Sequence, residues 1–399
     1  MRLSSGYPYS LIKNGLVYSY PKLEKNQRTD VLILGGGISG ALTAHYLVQE
    51  GIDCTLIDAR TIGLGSTCAS TSLLQYELDI PLHKLVQLIG TKGAVRSYKL
   101  GAIAIMKLIS LAKRVGVDVQ KKQSLYCAAY KKDTDFIKEE FNAREKYGLP
   151  VRYLDERSIE KEFGFSSPAA ILSDIAATVD SYLLTHQLLQ YNISKGLKVY
   201  DRTKVTSVKH GKRNIRSKTE EGFFITAKKM VYATGYEVVN FISKPIVKLT
   251  STYAIASESF NTPQKFGKND PVIWNTALPY LYMRTTNDNR IIVGGRDEEF
   301  FSHIKRDELI PQKTKQLRKD FNKMFPSIPF KPEFSWAGIF GSTKDGLPYI
   351  GPYQRLPNSF FTLGFGGNGI TFSQVAGEII AGLIKGRKNK DAELFSFER

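Results

Sequence analysis

The chain has 399 residues, 42% hydrophobic and 24% charged, the balance of a globular protein too long for one compact core, so two domains are expected. No apolar run reaches the length of about 18 residues that a membrane-spanning helix needs, and three cysteines and five histidines are too few and too scattered for a disulfide framework or a zinc site. The net charge of +18 excludes no fold, but it makes nucleic acid, anionic lipid and acidic metabolites candidate partners.

Residues 1–30 are polar and tyrosine-rich, without the apolar core of a secretion signal, so a cytoplasmic location is expected. The apolar run at 29–34 predicts a buried strand, and the spacing that follows predicts a helix over 38–50. Gly51 turns the chain into a second strand at 54–57. Residues 81–115 carry helical periodicity through Leu85, Leu88, Ile103, Met106 and Leu111. A strand near 124–129 and a charged helix over 135–147 follow. Further strands are expected at 198–200, 204–209, 222–226 and 230–233. The stretches 248–258, 281–285 and 290–293 are rich in β-branched and aromatic residues and read as strands too. The end returns to a strand at 360–363, a glycine loop at 364–369 and a helix at 370–384. Basic residues gather at 209–218, 305–319 and 385–390, as solvated faces and a basic tail or as a contact for a polyanion or membrane surface. This alternation predicts an α/β protein with interleaved domains, the first and last segments forming one nucleotide-binding unit and the strands near 250–330 an inserted sheet.

The most informative stretch is 30–40, Asp-Val-Leu-Ile-Leu-Gly-Gly-Gly-Ile-Ser-Gly. A hydrophobic strand runs directly into Gly35-x-Gly37-x-x-Gly40, which opens a helix. Gly35 permits the tight turn, Gly37 lets the backbone approach a pyrophosphate, and Gly40 lets the helix close on the strand. The helix start at Ile38 and Ser39 offers N–H groups and a positive dipole end to phosphates. The second strand ends at Asp58, about 20 residues downstream, where a carboxylate binds an unphosphorylated adenosine ribose. Strand, glycines, helix, second strand and acid in register are specific; a lone glycine pattern is not.

After that strand comes Gly-Leu-Gly-Ser-Thr-Cys-Ala-Ser-Thr-Ser at 63–72. Gly65, Ser66, Thr67, Ser70 and Thr71 supply backbone and hydroxyl donors for phosphate and ribityl oxygens, unless this is a plain polar surface loop. An NAD domain ordinarily proceeds to its next helix without such a loop, so FAD is the expected cofactor.

On these residues the chain resembles the D-amino acid oxidase, glycine oxidase and sarcosine oxidase superfamily of FAD-dependent oxidoreductases. Further stretches fit that family: 176–185, Val231-Tyr-Ala233-Thr234-Gly235, Tyr282-Met-Arg284-Thr, Val293-Gly-Gly-Arg-Asp-Glu298, and 336–351 followed by Gly364-Phe-Gly-Gly-Asn-Gly369. The resemblance covers nearly the whole chain. It implies a glutathione-reductase-like, Rossmann-type FAD-binding domain from 1–78, 151–245 and 335–399, interleaved with an α+β substrate domain on a mixed or antiparallel sheet from 79–150 and 246–334. It also implies cofactor contacts at Ala59, Val205, Ala233, Thr234, Gly235, Gly338, Gly366, Gly367, Asn368, Gly369, Ile370 and Thr371. The glycine loop entering a helix at Ile370 makes chemical sense near N1 and O2 of a reduced flavin, where backbone donors and the helix dipole stabilise negative charge; an ordinary capped helix is the alternative.

The family pattern breaks at Gly338-Ile339-Phe340-Gly341, where its amino-acid oxidases carry an arginine that forks onto the substrate carboxylate. Arg284 and Arg296 are the candidate replacements, with a structural ion pair as the alternative for either and the favoured reading for Arg296 beside Asp297 and Glu298. Alternatively the substrate lacks that carboxylate, and Phe340 joins Tyr253, Tyr280, Tyr282 and Tyr349 in an aromatic cage for a cation, or these rings are core. Gly338 and Ala69 stand where relatives tether their flavin through cysteine or histidine, so non-covalent FAD is expected. An aliphatic residue near Ile292 replaces the lysine that promotes oxygen reaction, which leaves oxidase and dehydrogenase both open.

The resemblance implies hydride transfer from a C–H beside nitrogen to flavin N5, giving an imine that water hydrolyses, with no essential acid–base side chain. His45 reads as a packed helix residue. The partners are then a small amine or amino acid and an electron acceptor, oxygen or another; no protein partner is inferred. Three rivals stand beside this reading: a dehydrogenase of a hydroxy acid or polyol phosphate feeding a membrane quinone, a flavoprotein acting on a modified tRNA base, and a flavin-binding protein without turnover.

Overall fold

The computed structural model describes residues 1–399 apart from Ser243, Phe301 and Phe365. Two sheets organise the chain. In the smaller, the strand Gln27–Leu34 lies between Cys54–Ile57 and Phe224–Tyr232, with Lys198–Tyr200 outside the former and Ser359–Leu363 outside the latter, all parallel. Val31 to Leu34 are buried as one unbroken apolar run, as a central parallel strand with both faces covered requires. The helix Ile38–Gln49 packs between Ser181–Ile193 and Gly369–Ile384 on this sheet. Antiparallel strands extend it: Tyr349–Pro352 at one edge, and a hairpin of Val205–His210 and Ile215–Thr219 against Phe224–Tyr232.

Among the described residues the larger sheet has ten strands, in the order Ser4–Gly6, Pro332–Ser342, Lys248–Ser257, Ile291–Glu298, Tyr282–Thr285, Val272–Asn275, Val119–Cys127, Ala169–Val179 and Leu73–Leu74, with Val151–Asp155 also on Ala169–Val179. Val272–Asn275 pairs parallel with Val119–Cys127, and the other pairings among the described residues are antiparallel. The helix His303–Met324 lies against Pro332–Ser342, Lys248–Ser257 and Ile291–Glu298, burying Leu317 and Phe321. No helix among the described residues is long and apolar enough to cross a membrane.

Several elements differ from expectation for identifiable reasons. The helical stretch 81–115 is two helices, Leu82–Ile89 and Thr91–Arg114, broken at Gly90, whose φ of +81° lies in the left-handed region. The strands expected at 222–226 and 230–233 are one, Phe224–Tyr232, held straight by neighbours on both sides. Residues 303–324, within the expected inserted sheet, are helical. Val151–Asp155, Ala169–Val179, Ser4–Gly6 and Pro332–Ser342, expected in whole or in part with the nucleotide-binding unit, pair in the ten-stranded sheet. The apolar run Ala169-Ala-Ile-Leu is buried because strands flank it on both sides.

The carboxyl ends of four parallel strands converge. Gly35, Asp58, Ala233 and Gly364, which follow Leu34, Ile57, Tyr232 and Leu363, all line one cavity, the usual ligand position in an open parallel sheet.

Candidate active site

That cavity has a volume of about 610 Å³ and runs between the two sheets. Its glycine turn is sterically specified. Gly35 has φ +115°, and a Cβ there would meet the Ala233 carbonyl oxygen at 2.3 Å. A Cβ on Gly40 would lie 1.9 Å from the Gly35 oxygen, so Gly40 serves helix packing and does not line the cavity. Gly37, Ile38 and Ser39 do line it. The Ile38 N–H is already used, donating to Thr67 Oγ1 at 3.0 Å, which ties the helix start to the 63–72 loop.

Asp58 accepts from the N–H groups of Gly36 at 2.7 Å and Arg60 at 2.8 Å. Burial raises its pKa, and these two donors oppose the rise. Ala59 and Val205 line the wall beside it, together with Arg60 and Glu237. Arg60 forks onto Glu237 at 2.6 and 3.1 Å, and the Met1 ammonium joins the same carboxylate at 3.0 Å. The N-terminal strand thereby closes over this end, with Met1 and Leu3 in the cavity wall.

The hydroxyl loop reaches the cavity through Gly65, Ser66, Thr67, Ser70 and Thr71. Ala233, Thr234 and Gly235 line it from the strand opposite, and Gly338 from the larger sheet. From the C-terminal loop come Gly366, Gly367, Asn368, Gly369 and Ile370, while Phe365 lies outside the described residues. Asn368 Nδ2 donates to the Gln75 and Glu77 carbonyls at 3.0 and 2.8 Å, and the Gly366 N–H to Gly341 O at 2.9 Å, so the loop is pinned from two sides. Thr371 is turned away, its hydroxyl on Gln75 O at 3.2 Å.

Beside this loop the cavity becomes a chamber walled by Phe340, Tyr236, Trp274, Tyr280, Tyr282 and Thr252. Tyr280 and Tyr282 have ring centroids 5.7 Å apart, and Trp274 meets Tyr280 edge-on at 6.5 Å. Two acidic residues, Glu77 and Asp79, belong to its wall. Asp79 accepts from the Gly367 N–H at 3.1 Å, and burial pushes its carboxyl up to about 6. Asp297 stands behind Thr252, also pushed up to about 6 by burial, with Thr252 pulling it down and Asp79 pushing it further up; its Oδ1 has no hydrogen-bond partner.

Glu77 connects to a buried ion network. Arg144 pairs with Glu77 at 3.4 Å and with Glu140 at 2.6 Å, while Glu77 Oε2 has no partner. Burial raises the Glu77 carboxyl against the pull of Arg144. Glu140 is fully buried, yet Arg144, His83 and two backbone N–H groups outweigh burial and hold it down at about 2.

Three expected substrate contacts lie elsewhere. The guanidinium of Arg284 is turned out of the chamber and donates to the Thr71 and Thr285 carbonyls at 2.5 and 3.1 Å. Tyr253 is buried in the core of the larger sheet, and Tyr349 stacks on Phe397 under the Arg399 guanidinium at 3.8 Å. Arg296 forks onto Asp320 at 2.5 and 2.7 Å, the ion-pair alternative with a partner on the helix His303–Met324. His45 is buried against Asn192. Phe340 and Tyr282 line the cavity.

The carboxylates were missed, although a signal existed. Gln75, Glu77 and Asp79 alternate along the segment leaving the 63–72 loop, and alternate residues of an extended chain share a face. All three line the cavity.

The donor set fits FAD. A Cβ on Gly37 would fill the phosphate approach at 2.8 Å from Thr67 Oγ1, Asp58 stands at the ribose position, and hydroxyls and glycine N–H groups continue to the aromatic chamber. The sequence model of the family described as FAD dependent oxidoreductase matches residues 30–383. The chain is 24% identical to gamma-glutamylputrescine oxidoreductase of Escherichia coli K12, over 94% of this chain and 87% of that protein. It is also 24% identical to D-amino acid dehydrogenase of Neisseria meningitidis serogroup A, over 92% and 97%. Glycine oxidase from Geobacillus kaustophilus superposes with a TM-score of 0.78 at 20% identity, over 94% of this chain and 99% of that one. L-proline dehydrogenase from P. horikoshii gives 0.78 at 19%, over 93% and 97%. At such identities the structural likeness establishes the fold.

Proposed function

Since this chain belongs to the FAD-dependent oxidoreductase family, we propose that it oxidises the carbon–nitrogen bond of a small amine or amino acid, releasing an imine that water hydrolyses. The observation that carries this reading is one continuous cavity that joins the Gly35–Gly37 turn and Asp58 to an aromatic chamber beside the 364–369 loop. The relatives named for D-amino acids and gamma-glutamylputrescine support nitrogen-bearing substrates.

Flavin, when bound, would supply the acceptor for the hydride of the C–H beside nitrogen. The chain does the rest. Asp58 and the helix start would hold the adenosine and diphosphate, Ser70, Thr71 and Gly338 would bound the middle, and the helix start at Gly369 and Ile370 would offer its N–H groups where negative charge develops. Tyr280, Tyr282, Trp274 and Phe340 exclude water and align the substrate carbon. The cofactor is held without a covalent tether, Ala69 and Gly338 standing at the two tether positions 3.7 Å apart when Gly338 is given a Cβ.

The test is anaerobic mixing of the yellow holoenzyme with amines, amino acids and hydroxy acids in parallel. Bleaching of the flavin band by nitrogen compounds is the expected result. Bleaching by hydroxy acids alone, or by none of the three, overturns the reading.

A further inference from the structure

We infer that the substrate is an amine carrying a second, protonated nitrogen, an α,ω-diamine or polyamine, whose distal ammonium docks on Asp79 in the chamber walled by Tyr280, Tyr282 and Trp274. This rests on the amine-oxidation reading above and narrows it.

The charge distribution points there first. The chain as a whole carries +18, yet the charged residue open to the chamber is Asp79, with Glu77 buried in its wall and Asp297 behind Thr252. The guanidinium that reaches this cluster, Arg144, is shared between Glu77 and Glu140 and leaves a surplus of negative charge. Asp79 itself is open to the cavity, its carboxylate held by the Gly367 N–H at 3.1 Å and able to accept a further donor from a ligand. The aromatic faces of Tyr280, Tyr282 and Trp274 surround the same space and favour a cation over water.

Chemistry then separates the two nitrogens. The nitrogen being oxidised must be neutral when its neighbouring C–H leaves, because its lone pair becomes the new π bond of the imine. A carboxylate beside that nitrogen would hold it protonated and oppose the step. Asp79 therefore serves a nitrogen that keeps its charge throughout. The same carboxylates repel a substrate carboxylate, and Arg284, the residue best placed by sequence to receive one, is turned away onto backbone carbonyls. A free α-amino acid is disfavoured on both counts.

The experiment measures binding without turnover. Holoenzyme reduced with dithionite cannot accept a further hydride, so calorimetry under argon with putrescine, butylamine and γ-aminobutyrate reads recognition alone. Putrescine is expected to bind about tenfold or more tightly than butylamine, the worth of one retained ion pair in a partly closed site, and γ-aminobutyrate most weakly. Asp79→Asn is expected to erase the putrescine advantage and Asp79→Glu to keep part of it. Equal binding of putrescine and butylamine by the wild type overturns the inference, and so does an unchanged preference in a yellow Asp79→Asn enzyme. If Asp79→Asn does not hold flavin, Asp79→Glu and the wild-type ratio decide. Anaerobic bleaching by α-amino acids but not by diamines overturns this inference and leaves amine oxidation standing; bleaching by no nitrogen compound overturns the parent reading instead.

Discussion

Asp58 Oδ2 accepts a hydrogen bond from the Gly36 N–H at 2.7 Å, which locks the end of one parallel strand to the glycine turn of its neighbour. The carboxylate thus holds the turn in shape, and Asp58 also lines the cavity where the proposed reading puts the ribose. Asp58→Ala is expected to weaken FAD binding by roughly ten- to a hundredfold, the worth of one charge-assisted hydrogen bond of about 1.5–3 kcal/mol. Asp58→Asn, which retains an acceptor, should lose less. Titration of deflavinated protein with FAD, followed by flavin fluorescence, reads both; an unchanged affinity in Asp58→Ala would remove Asp58 from the cofactor site.

Two glycines predict opposite outcomes. A Cβ on Gly40 would collide with the Gly35 oxygen at 1.9 Å, and that oxygen belongs to a turn that cannot move. Gly40→Ala is therefore expected to abolish FAD retention or soluble folding. A Cβ on Gly338 meets nothing closer than Ala69 Cβ at 3.7 Å, ordinary contact. Gly338→Ala should melt within a few degrees of the wild type, roughly the span of a change under 1 kcal/mol. Thermal melts with flavin colour as a second readout separate the two.

The contrast shows what the sequence could and could not reveal. Residues 30–58 encode their own local geometry, because each glycine answers a clash within the unit and Asp58 follows at a fixed distance. The strands flanking the cavity were legible for the same reason: their apolar runs report burial directly. The direction in which Arg284 points was not legible, since it depends on the Thr71 carbonyl 213 positions earlier in the chain. Tyr253 and Tyr349 could be read from sequence as cage or, more often for such tyrosines, as core, and the packing assigns both to core. Asp79 lacks a motif of its own and gains meaning from the Gly367 N–H that reaches it across the sheet interface.

Arg284 is expected to behave as a structural residue. It is buried, with its guanidinium spent on the Thr71 and Thr285 carbonyls. Arg284→Ala leaves those acceptors unsatisfied, at about 1–3 kcal/mol each. The variant should lose stability and flavin affinity through the 63–72 loop. Its relative KM for amines against amino acids should stay as in the wild type, and a selective rise for amino acids would restore Arg284 as a carboxylate clamp.

Arg144 is shared between Glu77 and Glu140 inside the fold, so Arg144→Ala leaves two buried carboxylates without their cation. A loss of about 3–5 kcal/mol in urea unfolding is expected, as for other broken buried pairs. Glu140 adds a pH signature. Its carboxyl drops from 4.5 to about 2 on folding, so its contribution is present above pH 4.5 and lost as the pH falls towards 2. Glu140→Gln should flatten that acid limb of the stability curve; a limb identical to the wild type's would place the lost stability elsewhere.

Asp79 should show the opposite sign. Burial lifts its carboxyl from 3.8 to about 6 on folding, so between those values the folded state binds more protons than the unfolded one. Above about pH 6 the folded chain carries a charge that its surroundings disfavour, and Asp79 opposes folding there; the opposition fades as the pH falls towards 3.8. Because Asp79 is open to the cavity, solvent screens most of this effect, and Asp79→Asn is expected to melt only slightly higher than the wild type at roughly pH 8 and equally near pH 4. Diamine binding should run the other way, weakening as the pH falls through about 6, because the ammonium needs the ionised carboxylate. The groups facing Asp79 are Asp297, Tyr236, Tyr280 and the Gly367 N–H, and of these Asp297 titrates in the same range and deepens the fall. A residue placed only to brace the 364–369 loop would stabilise at neutral pH and leave diamine affinity flat across this range. Melting curves and calorimetry over one pH series therefore distinguish a carboxylate that receives a cation from one that merely holds a turn.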